Sequence, residues 1–128
     1  MTAGLADTSV FVARESRRPL DIDALPDELA VSAITIGELR AGVLAASDPL
    51  IADRRLSTLQ AALGLDPIPV DGRVANAWAR LRIELREQGR RLGVNDSWIA
   101  ATAMAHDLAL VTQDDDYDGL DAVAVIKV

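Results

Sequence analysis

Five acidic residues stand beside apolar runs of the chain, where a fold could bring them together for chemistry: Asp7, Glu38, Asp96, Asp114 and Asp116. Carboxylates that meet in one cleft repel one another unless a cation neutralises them. Sites built only from oxygen ligands suit hard ions such as Mg²⁺ or Mn²⁺. If the fold joins these residues, the chemistry they predict is that of a metal site.

Each acidic residue also has an ordinary structural explanation. Asp is a favoured helix N-cap, which would account for Asp7 or Asp96 taken alone. Thr35 and Glu38 match a capping box, in which each side chain bonds the other residue's backbone N–H. Turns commonly carry Asp, which would account for the acidic run at 114–116. These explanations weaken because the same arrangement must then arise independently at four places in the chain.

Short apolar runs predict the strands that would position these residues: 4–6, 29–31, 65–70, 108–112 and 123–126. The run at 65–70 contains two prolines and therefore belongs at an edge or ends early. Helical spacing predicts four longer helices, the first two of them a hairpin: about 35–44, 49–63, 72–88 and 96–106.

This alternation predicts a single domain over residues 1–128 with an α/β fold, a three-layer α/β/α sandwich around a short, mostly parallel central sheet. In such sheets, ligand sites lie outside the carboxyl ends of the strands. The acidic residues stand near those ends, so the predicted fold and the predicted site agree.

Composition narrows the function classes. The 128 residues include no cysteine, which excludes disulfides, thiolate metal sites and a cysteine nucleophile. The net charge of −7 argues against non-specific nucleic-acid binding, but it is compatible with a nuclease whose site is itself acidic. No signal-peptide pattern or membrane-length apolar run is present. A cytoplasmic protein without membrane contact is therefore expected, although secretion is not excluded.

Four ordered motifs resemble those of PIN-domain ribonucleases, in particular the VapC toxins of bacterial toxin–antitoxin pairs: Leu5-Ala6-Asp7-Thr8-Ser9, Ser32-x-x-Thr35-x-x-Glu38-Leu39, Asn95-Asp96-x-x-Ile99-Ala100 and Val111-Thr112-x-Asp114-x-Asp116-Tyr117. The resemblance covers nearly the whole chain. Each motif is weak alone, whereas the ordered set is fairly specific. Tyr117 stands where the family more usually has Phe.

The resemblance implies a metal-dependent endoribonuclease that hydrolyses RNA phosphodiester bonds and acts as the toxin of a type II toxin–antitoxin pair. It implies that Asp7 and Asp96 hold Mg²⁺ or Mn²⁺ and that Glu38 completes or orients the metal's shell. Asp114 matches the family's fourth acidic position, and Asp116 is a nearby acidic residue that could take its place.

The resemblance also implies supporting residues and partners. The hydroxyls of Thr8 and Thr112 match motif positions that would orient the carboxylates. The implied partners are an RNA substrate, a cognate VapB-type antitoxin that blocks the acidic cleft, and a second copy in a homodimer. The apolar hairpin at about 35–63 is the expected docking groove for the antitoxin, although many of its leucines also fit an intramolecular core.

Arginines are the candidate RNA contacts. Six of them crowd one predicted helix and its exit: Arg73, Arg80, Arg82, Arg86, Arg90 and Arg91. Four are the leading candidates: Arg80, Arg86, Arg90 and Arg91. The alternative is a solvated helix face on which Glu84 and Glu87 pair with the arginines. The single histidine, His106, is expected at a helix C-terminus in a structural role.

Two other classes of function remain open from the residues alone. An aspartyl phosphatase or phosphotransferase would use Asp7 as a nucleophile beside Mg²⁺. Dehalogenase-like members of that class normally show Asp-x-Asp, and Ser9 occupies the second position here. The other class is a non-catalytic α/β binding module, in which the carboxylates only cap helices.

Overall fold

A parallel sheet of four short strands lies at the centre of residues 2–128, which the computed structural model describes. The strands are β1 (Ala3–Ala6), β2 (Glu28–Val31), β3 (Ala109–Thr112) and β4 (Val125–Lys127), in the sheet order β2-β1-β3-β4. The helices are α1 (Thr8–Glu15), α2 (Ala33–Leu44), α3 (Pro49–Leu63), α4 (Gly72–Glu87) and α5 (Val94–Ala105), with a 3₁₀ turn at Ile22–Ala24.

Alternating side chains of the strands supply two cores, one on each face of the sheet. Leu5 and Leu110 are register partners and pack with α4 and α5 on one face. Their neighbours Ala6 and Val111 are also register partners and pack against Val10 of α1 on the other face. Because successive strand residues point to opposite faces, both faces are apolar and both are covered by helices. The predicted three-layer α/β/α sandwich with a parallel sheet is confirmed.

Most helices are stabilised by side-chain caps at their N-termini and by apolar faces that pack in the core. Asp71 caps α4, where its side chain accepts a hydrogen bond from the Val74 N–H at 3.0 Å. The buried side chains of α4 recur at helical spacing and pack on α5 and the sheet: Val74, Ala77, Leu81 and Leu85. Helices α2 and α3 form the predicted hairpin and share a core around Leu39 and Leu59.

The predicted strand at 65–70 is wrong. Only one isolated bridge forms there, between Ser32 and Ile68. Pro67 and Pro69 lack N–H groups, so this segment cannot continue a strand ladder. None of the helices in residues 2–128 combines the length and apolarity needed to cross a membrane.

The strand order determines where the acidic residues come together. The chain places β2 on one side of β1 and later places β3 on the other side. All strands run parallel, so the residues that follow β1, β2 and β3 emerge at the same edge of the sheet. This reversal of winding direction is where open α/β sheets form their ligand crevices.

Candidate active site

Asp7 lies at the base of the crevice and is only 2% exposed. It follows β1 directly, and its N–H donates to the Val111 carbonyl at 2.9 Å, which extends the pairing with β3. Its side chain caps α1 by accepting a hydrogen bond from the Ser9 N–H at 2.9 Å. The suggested capping role of Asp7 is therefore confirmed, and it leaves room for a second role because a carboxylate has about four acceptor sites.

Two hydroxyl groups fix the Asp7 carboxylate. The Thr112 hydroxyl donates to Oδ2 at 2.9 Å, and the Ser9 hydroxyl donates to Oδ1. Each hydroxyl also accepts from the chain that follows β3, Thr112 from the Asp114 N–H at 2.9 Å and Ser9 from the Gln113 N–H at 3.0 Å. The predicted contact of Thr112 with a carboxylate is present. Ser9 was not among the predicted site residues, although a hydroxyl two residues after an acidic N-cap is a signal for this arrangement.

Glu38 does not belong to a capping box, so that alternative is wrong. Helix α2 is capped by Ser32, whose side chain accepts from the Ile34 N–H at 3.0 Å. Glu38 consequently lies in the second turn, too far along the helix to reach its first N–H groups. Its Oε1 instead accepts a hydrogen bond from the Thr8 hydroxyl at 2.7 Å, and that hydroxyl lies 3.0 Å from the buried hydroxyl of Thr35. Thr8 thus orients Glu38 from α1.

Asp96 is not a helix cap either. Helix α5 begins after Gly93, which occupies the N-cap position without a side-chain bond, and Asp96 is the third helical residue. Asp96 is half-buried and lines a cavity of about 300 Å³ together with Glu38 and Asn95. A Cβ atom at Gly93 would lie 3.3 Å from Asp96 Oδ2, so the glycine leaves space for this carboxylate.

The pKa shifts reflect a shared field of negative charge. Burial raises the pKa of Asp7 from its ordinary value of 3.8 to about 6, and the charge of Asp114 adds to this rise, while the bonds from Ser9 and Thr112 oppose it. Burial also raises the pKa of Asp96, with further contributions from the charges of Glu38, Asp114 and Asp116. Three carboxylates from two other segments of the chain, those of Glu38, Asp114 and Asp116, therefore act on Asp7 or Asp96.

The acidic turn after β3 sends its side chains in different directions. Asp114 is half-buried and raises the pKa of both Asp7 and Asp96. Asp116 is exposed and its charge acts on Asp96, and its backbone carbonyl accepts from Arg90 at 3.0 Å. Asp115 is turned away and pairs with Lys127. Asp114 is thus the residue of this turn most closely coupled to the site.

Tyr117 is a further residue of the site that the sequence motifs did not assign a role. It is fully buried, and no acceptor in residues 2–128 meets hydrogen-bond geometry with its hydroxyl. The hydroxyl nevertheless lies close enough to the Asp96 carboxylate to lower the pKa of Asp96, and burial together with the nearby acidic charges raises the pKa of Tyr117. Sequence offered one signal, the Tyr in place of the more usual Phe.

The donor set fits a divalent hard cation. The ion pairs found within residues 2–128 both involve Lys127, so no basic side chain there neutralises the carboxylates of Asp7, Glu38 or Asp96. Within the same residues, no three acidic or histidine side chains converge into a ready-made coordination shell. Glu38 and Asp96 instead line one cavity, and the charge of Asp114 acts on both Asp7 and Asp96. This arrangement suits an ion such as Mg²⁺, which keeps several waters and takes few protein ligands.

The predicted RNA-contact arginines divide into two groups. Arg86, Arg90 and Arg91 line one cavity beside the start of α5, whereas Arg80 is exposed on α4 outside it. The alternative of pairing with Glu84 and Glu87 is absent from residues 2–128, where neither glutamate forms an ion pair. His106 is the C-cap of α5, as expected.

Comparisons with known proteins agree with this architecture. The PIN domain family matches residues 5–123. Ribonuclease VapC5 of Mycobacterium tuberculosis is 48% identical over 126 residues, which cover 98% of this chain and 93% of that protein. Ribonuclease VapC4 of the same organism is 50% identical over 125 residues, covering 97% and 95%.

Solved structures show the same similarity in three dimensions. A member of the VapBC family of toxin–antitoxin systems, VapBC-5 from Mycobacterium tuberculosis, superposes with a TM-score of 0.90 at 46% identity over 100% of both chains. The FitAcB structure from Neisseria gonorrhoeae superposes with a TM-score of 0.75 at 31% identity over 94% of each chain. Because the family match and these relatives extend over nearly the whole sequence, the chain belongs to the PIN-domain family.

Proposed function

We propose that this protein is a divalent-metal-dependent endoribonuclease that hydrolyses RNA phosphodiester bonds and acts as the toxin of a toxin–antitoxin pair. One observation carries the proposal: buried Asp7 and half-buried Asp96 share a charge field at the carboxyl ends of the sheet, with no basic partner in residues 2–128. Membership of the PIN-domain family and similarity to proteins named ribonuclease VapC favour this function over a phosphatase or a binding module.

Asp7 and Asp96 are the proposed principal ligands of the metal, which we take to be Mg²⁺ or Mn²⁺. Such an ion lowers the pKa of bound water and offsets negative charge that develops on phosphate oxygens. The raised pKa values of the two carboxylates support this role, because a buried anion without a cation is costly and a bound cation removes that cost. Carboxylate oxygens are also the ligand type that these ions prefer.

The other side chains hold this arrangement in place. Glu38, oriented by Thr8, faces the same cavity as Asp96 and would complete or position the shell. Asp114 is the proposed fourth carboxylate in preference to Asp116, because it acts on both principal ligands. Thr112 ties Asp114 to Asp7 by accepting from the backbone of the first and donating to the carboxylate of the second.

A VapB-type antitoxin and a second copy of the chain are the proposed protein partners. The similar solved structures include VapBC-5, described as a member of a toxin–antitoxin family. The α2–α3 hairpin remains the proposed docking region. Its Leu39 and Leu59 belong to the intramolecular core, while Leu44 and Leu50 at its tip are 72% and 77% exposed.

Cleavage of RNA by the antitoxin-free protein tests the proposed activity. We expect cleavage with Mg²⁺ or Mn²⁺ and none in EDTA. Asp7→Asn and Asp96→Asn should each reduce the rate by more than about 100-fold, because loss of even an outer partner of a metal site costs about 10- to 100-fold. Metal affinity measured by calorimetry should fall in the same variants.

The acidic turn provides matched controls. Asp114→Asn should lose most of the activity, whereas Asp115→Asn should cleave at the parental rate because its carboxylate pairs with Lys127. Normal cleavage by folded Asp7→Asn and Asp96→Asn proteins would refute the proposed site. Equal cleavage in EDTA would refute the metal requirement independently.

A further inference from the structure

A cationic cavity of about 540 Å³ lies beside the acidic crevice, between the second half of α4 and the start of α5. Four arginines line it, and no carboxylate does: Arg82, Arg86, Arg90 and Arg91. The chain as a whole carries a net charge of −7, so this local excess of positive charge runs against the overall composition. Such a concentration of guanidinium groups is suited to phosphate, which arginine binds in a bidentate manner.

These arginines are not committed to ion pairs within residues 2–128, where Lys127 supplies the basic group of both ion pairs found. Glu84, on the same helix, accepts instead from the Asp121 N–H at 3.0 Å and the Gln88 side chain at 3.3 Å. Arg90 makes one hydrogen bond, to the Asp116 carbonyl, which leaves its charge uncompensated. The cavity therefore presents charge that an anion could neutralise.

A stacked pair of tryptophans supports one wall of the cavity. The rings of Trp78 and Trp98 lie 4.5 Å apart and are inclined by 4°, and Trp78 Nε1 donates to the Ser97 hydroxyl at 3.1 Å. The Arg82 guanidinium lies 4.9 Å from the centre of the Trp78 ring. This cation–π contact holds Arg82 in place, so less side-chain entropy is lost when it binds a ligand.

The cavity adjoins the proposed metal site. Val94 lines both this cavity and the smaller one that contains Asp96 and Glu38. Arg90 links the two regions through its bond to the Asp116 carbonyl. A ligand that occupies the acidic cleft therefore has a cationic surface directly beside it.

We propose that the cavity lined by Arg82, Arg86, Arg90 and Arg91 is a subsite for the sugar-phosphate backbone of the RNA strand that flanks the scissile bond. The proposal rests on the proposed ribonuclease function and specifies how an acidic enzyme retains a polyanion. The carboxylates of the proposed metal site repel the phosphates that flank the scissile bond. Arginines beside the cleft offset that repulsion where the strand leaves it.

The contacts favour backbone phosphate over a stacked base. Trp98 covers one face of Trp78 and the Arg82 guanidinium lies over the ring as well, so a base has little free aromatic surface. Phosphate contact carries no base preference. The subsite should therefore contribute to affinity for all RNA sequences rather than to the choice among them.

RNA affinity tests the subsite without requiring cleavage. Binding of a labelled single-stranded RNA of about 12 nucleotides is measured by fluorescence anisotropy in EDTA, over a series of salt concentrations. For Arg86→Gln/Arg91→Gln we expect an affinity at least about tenfold lower at about 50 mM salt, and a slope of log affinity against log salt that is shallower by about 1.4, since each phosphate contact on a single strand contributes about 0.7.

A matched control changes the same number of charges elsewhere. Arg17→Gln/Arg54→Gln removes two exposed arginines that do not line the cavity and should bind within about twofold of the parent. With metal present, Arg86→Gln/Arg91→Gln should raise KM and leave kcat within about twofold, because these side chains do not reach the reacting atoms. The metal-ligand variants should instead lower kcat.

The outcomes separate this inference from the proposed function. If the parent fails to cleave RNA with metal, the proposed function fails, while anisotropy still reports on the cavity. If the parent cleaves but both double variants bind RNA equally well, the subsite is refuted. Unchanged RNA affinity with an altered molar mass in solution would assign the cavity to an interface between copies of the chain, and would also overturn the proposal.

Discussion

Asparagine at position 7 should stabilise the metal-free protein and abolish its response to divalent ions. Asp7 is 2% exposed, and burial raises its pKa from 3.8 to about 6. Each pKa unit corresponds to about 1.36 kcal/mol between the two protonation states, so ionised Asp7 costs the fold about 3 kcal/mol relative to its neutral form. Asn is neutral and nearly isosteric, and it caps helices about as well as Asp.

The hydrogen bonds around position 7 can survive the change. The Asn side-chain oxygen can still accept from the Ser9 N–H and hydroxyl, and its amide can donate to the Thr112 hydroxyl in place of the present bond in the opposite direction. We therefore expect Asp7→Asn to raise the free energy of unfolding by up to about 3 kcal/mol at pH 7.5 in EDTA.

The pH dependence has a defined sign. A carboxyl group whose pKa is raised on folding contributes its stability below the unfolded pKa of 3.8 and loses it as pH rises through about 6. The metal-free parent should accordingly lose stability between about pH 4 and pH 6, and Asp7→Asn should lose much less. Divalent ions should restore the parent above pH 6 by binding the folded state, with little effect on the variant.

Asp71→Asn is the matched control, because Asp71 also caps a helix. Asp71 is exposed, and the backbone hydrogen bond from Val74 lowers its pKa, so removal of its charge should decrease stability slightly at neutral pH. Urea denaturation followed by circular dichroism at several pH values measures both variants. A clear loss of stability in Asp7→Asn at pH 7.5 in EDTA would refute the reasoning, because it would mean that the charge of Asp7 serves the fold.

Three further predictions concern the surroundings of the site. Tyr117→Phe removes a buried hydroxyl whose proximity supports the Asp96 anion, so the free energy of unfolding at pH 7.5 should fall by about 1 kcal/mol in urea denaturation. The same change should raise the pKa of Asp96 and weaken metal binding near pH 6, measurable by calorimetry. Thr112→Val removes the donor to Asp7 Oδ2 and should lower stability at pH 7.5 by about 2 kcal/mol in urea denaturation. Gly4→Ala places a Cβ atom 2.7 Å from a valine methyl of β3 and should cost about 2 kcal/mol, and a neutral result would contradict the packing described.

Local chemistry explains why several site features could be predicted from sequence. Apolar runs followed by Asp7 and by Thr112-x-Asp114 indicated strands that end beside acidic residues. Such strands can be predicted because a few consecutive residues are enough to show their length and apolar pattern. The order of the motifs then indicated the family, and the family match confirmed it.

Helix boundaries were predicted less well because caps compete locally. Thr35 and Glu38 satisfy the capping-box pattern, but Ser32 is an equally good cap three residues earlier and its choice moves Glu38 into the second turn. Asp96 likewise looked like a cap, whereas Gly93 takes that position and leaves the carboxylate free to face the cleft. Neither choice can be read from the local pattern, since both candidates are suitable caps.

The sequence by itself determined the alternation of strands and helices, the identity of the carboxylates and the family. Only the tertiary structure decided which of these side chains meet, because the winding reversal around β1 sets the distances between distant segments. It tied Thr112 to Asp7 and Ser9 across more than 100 residues, turned Asp114 inward and Asp115 outward, and gathered Arg82 into a cavity that excludes Arg80. The burial of each site residue, and the charges that act on it, depend on residues from several distant segments. No short stretch of the sequence can therefore predict them.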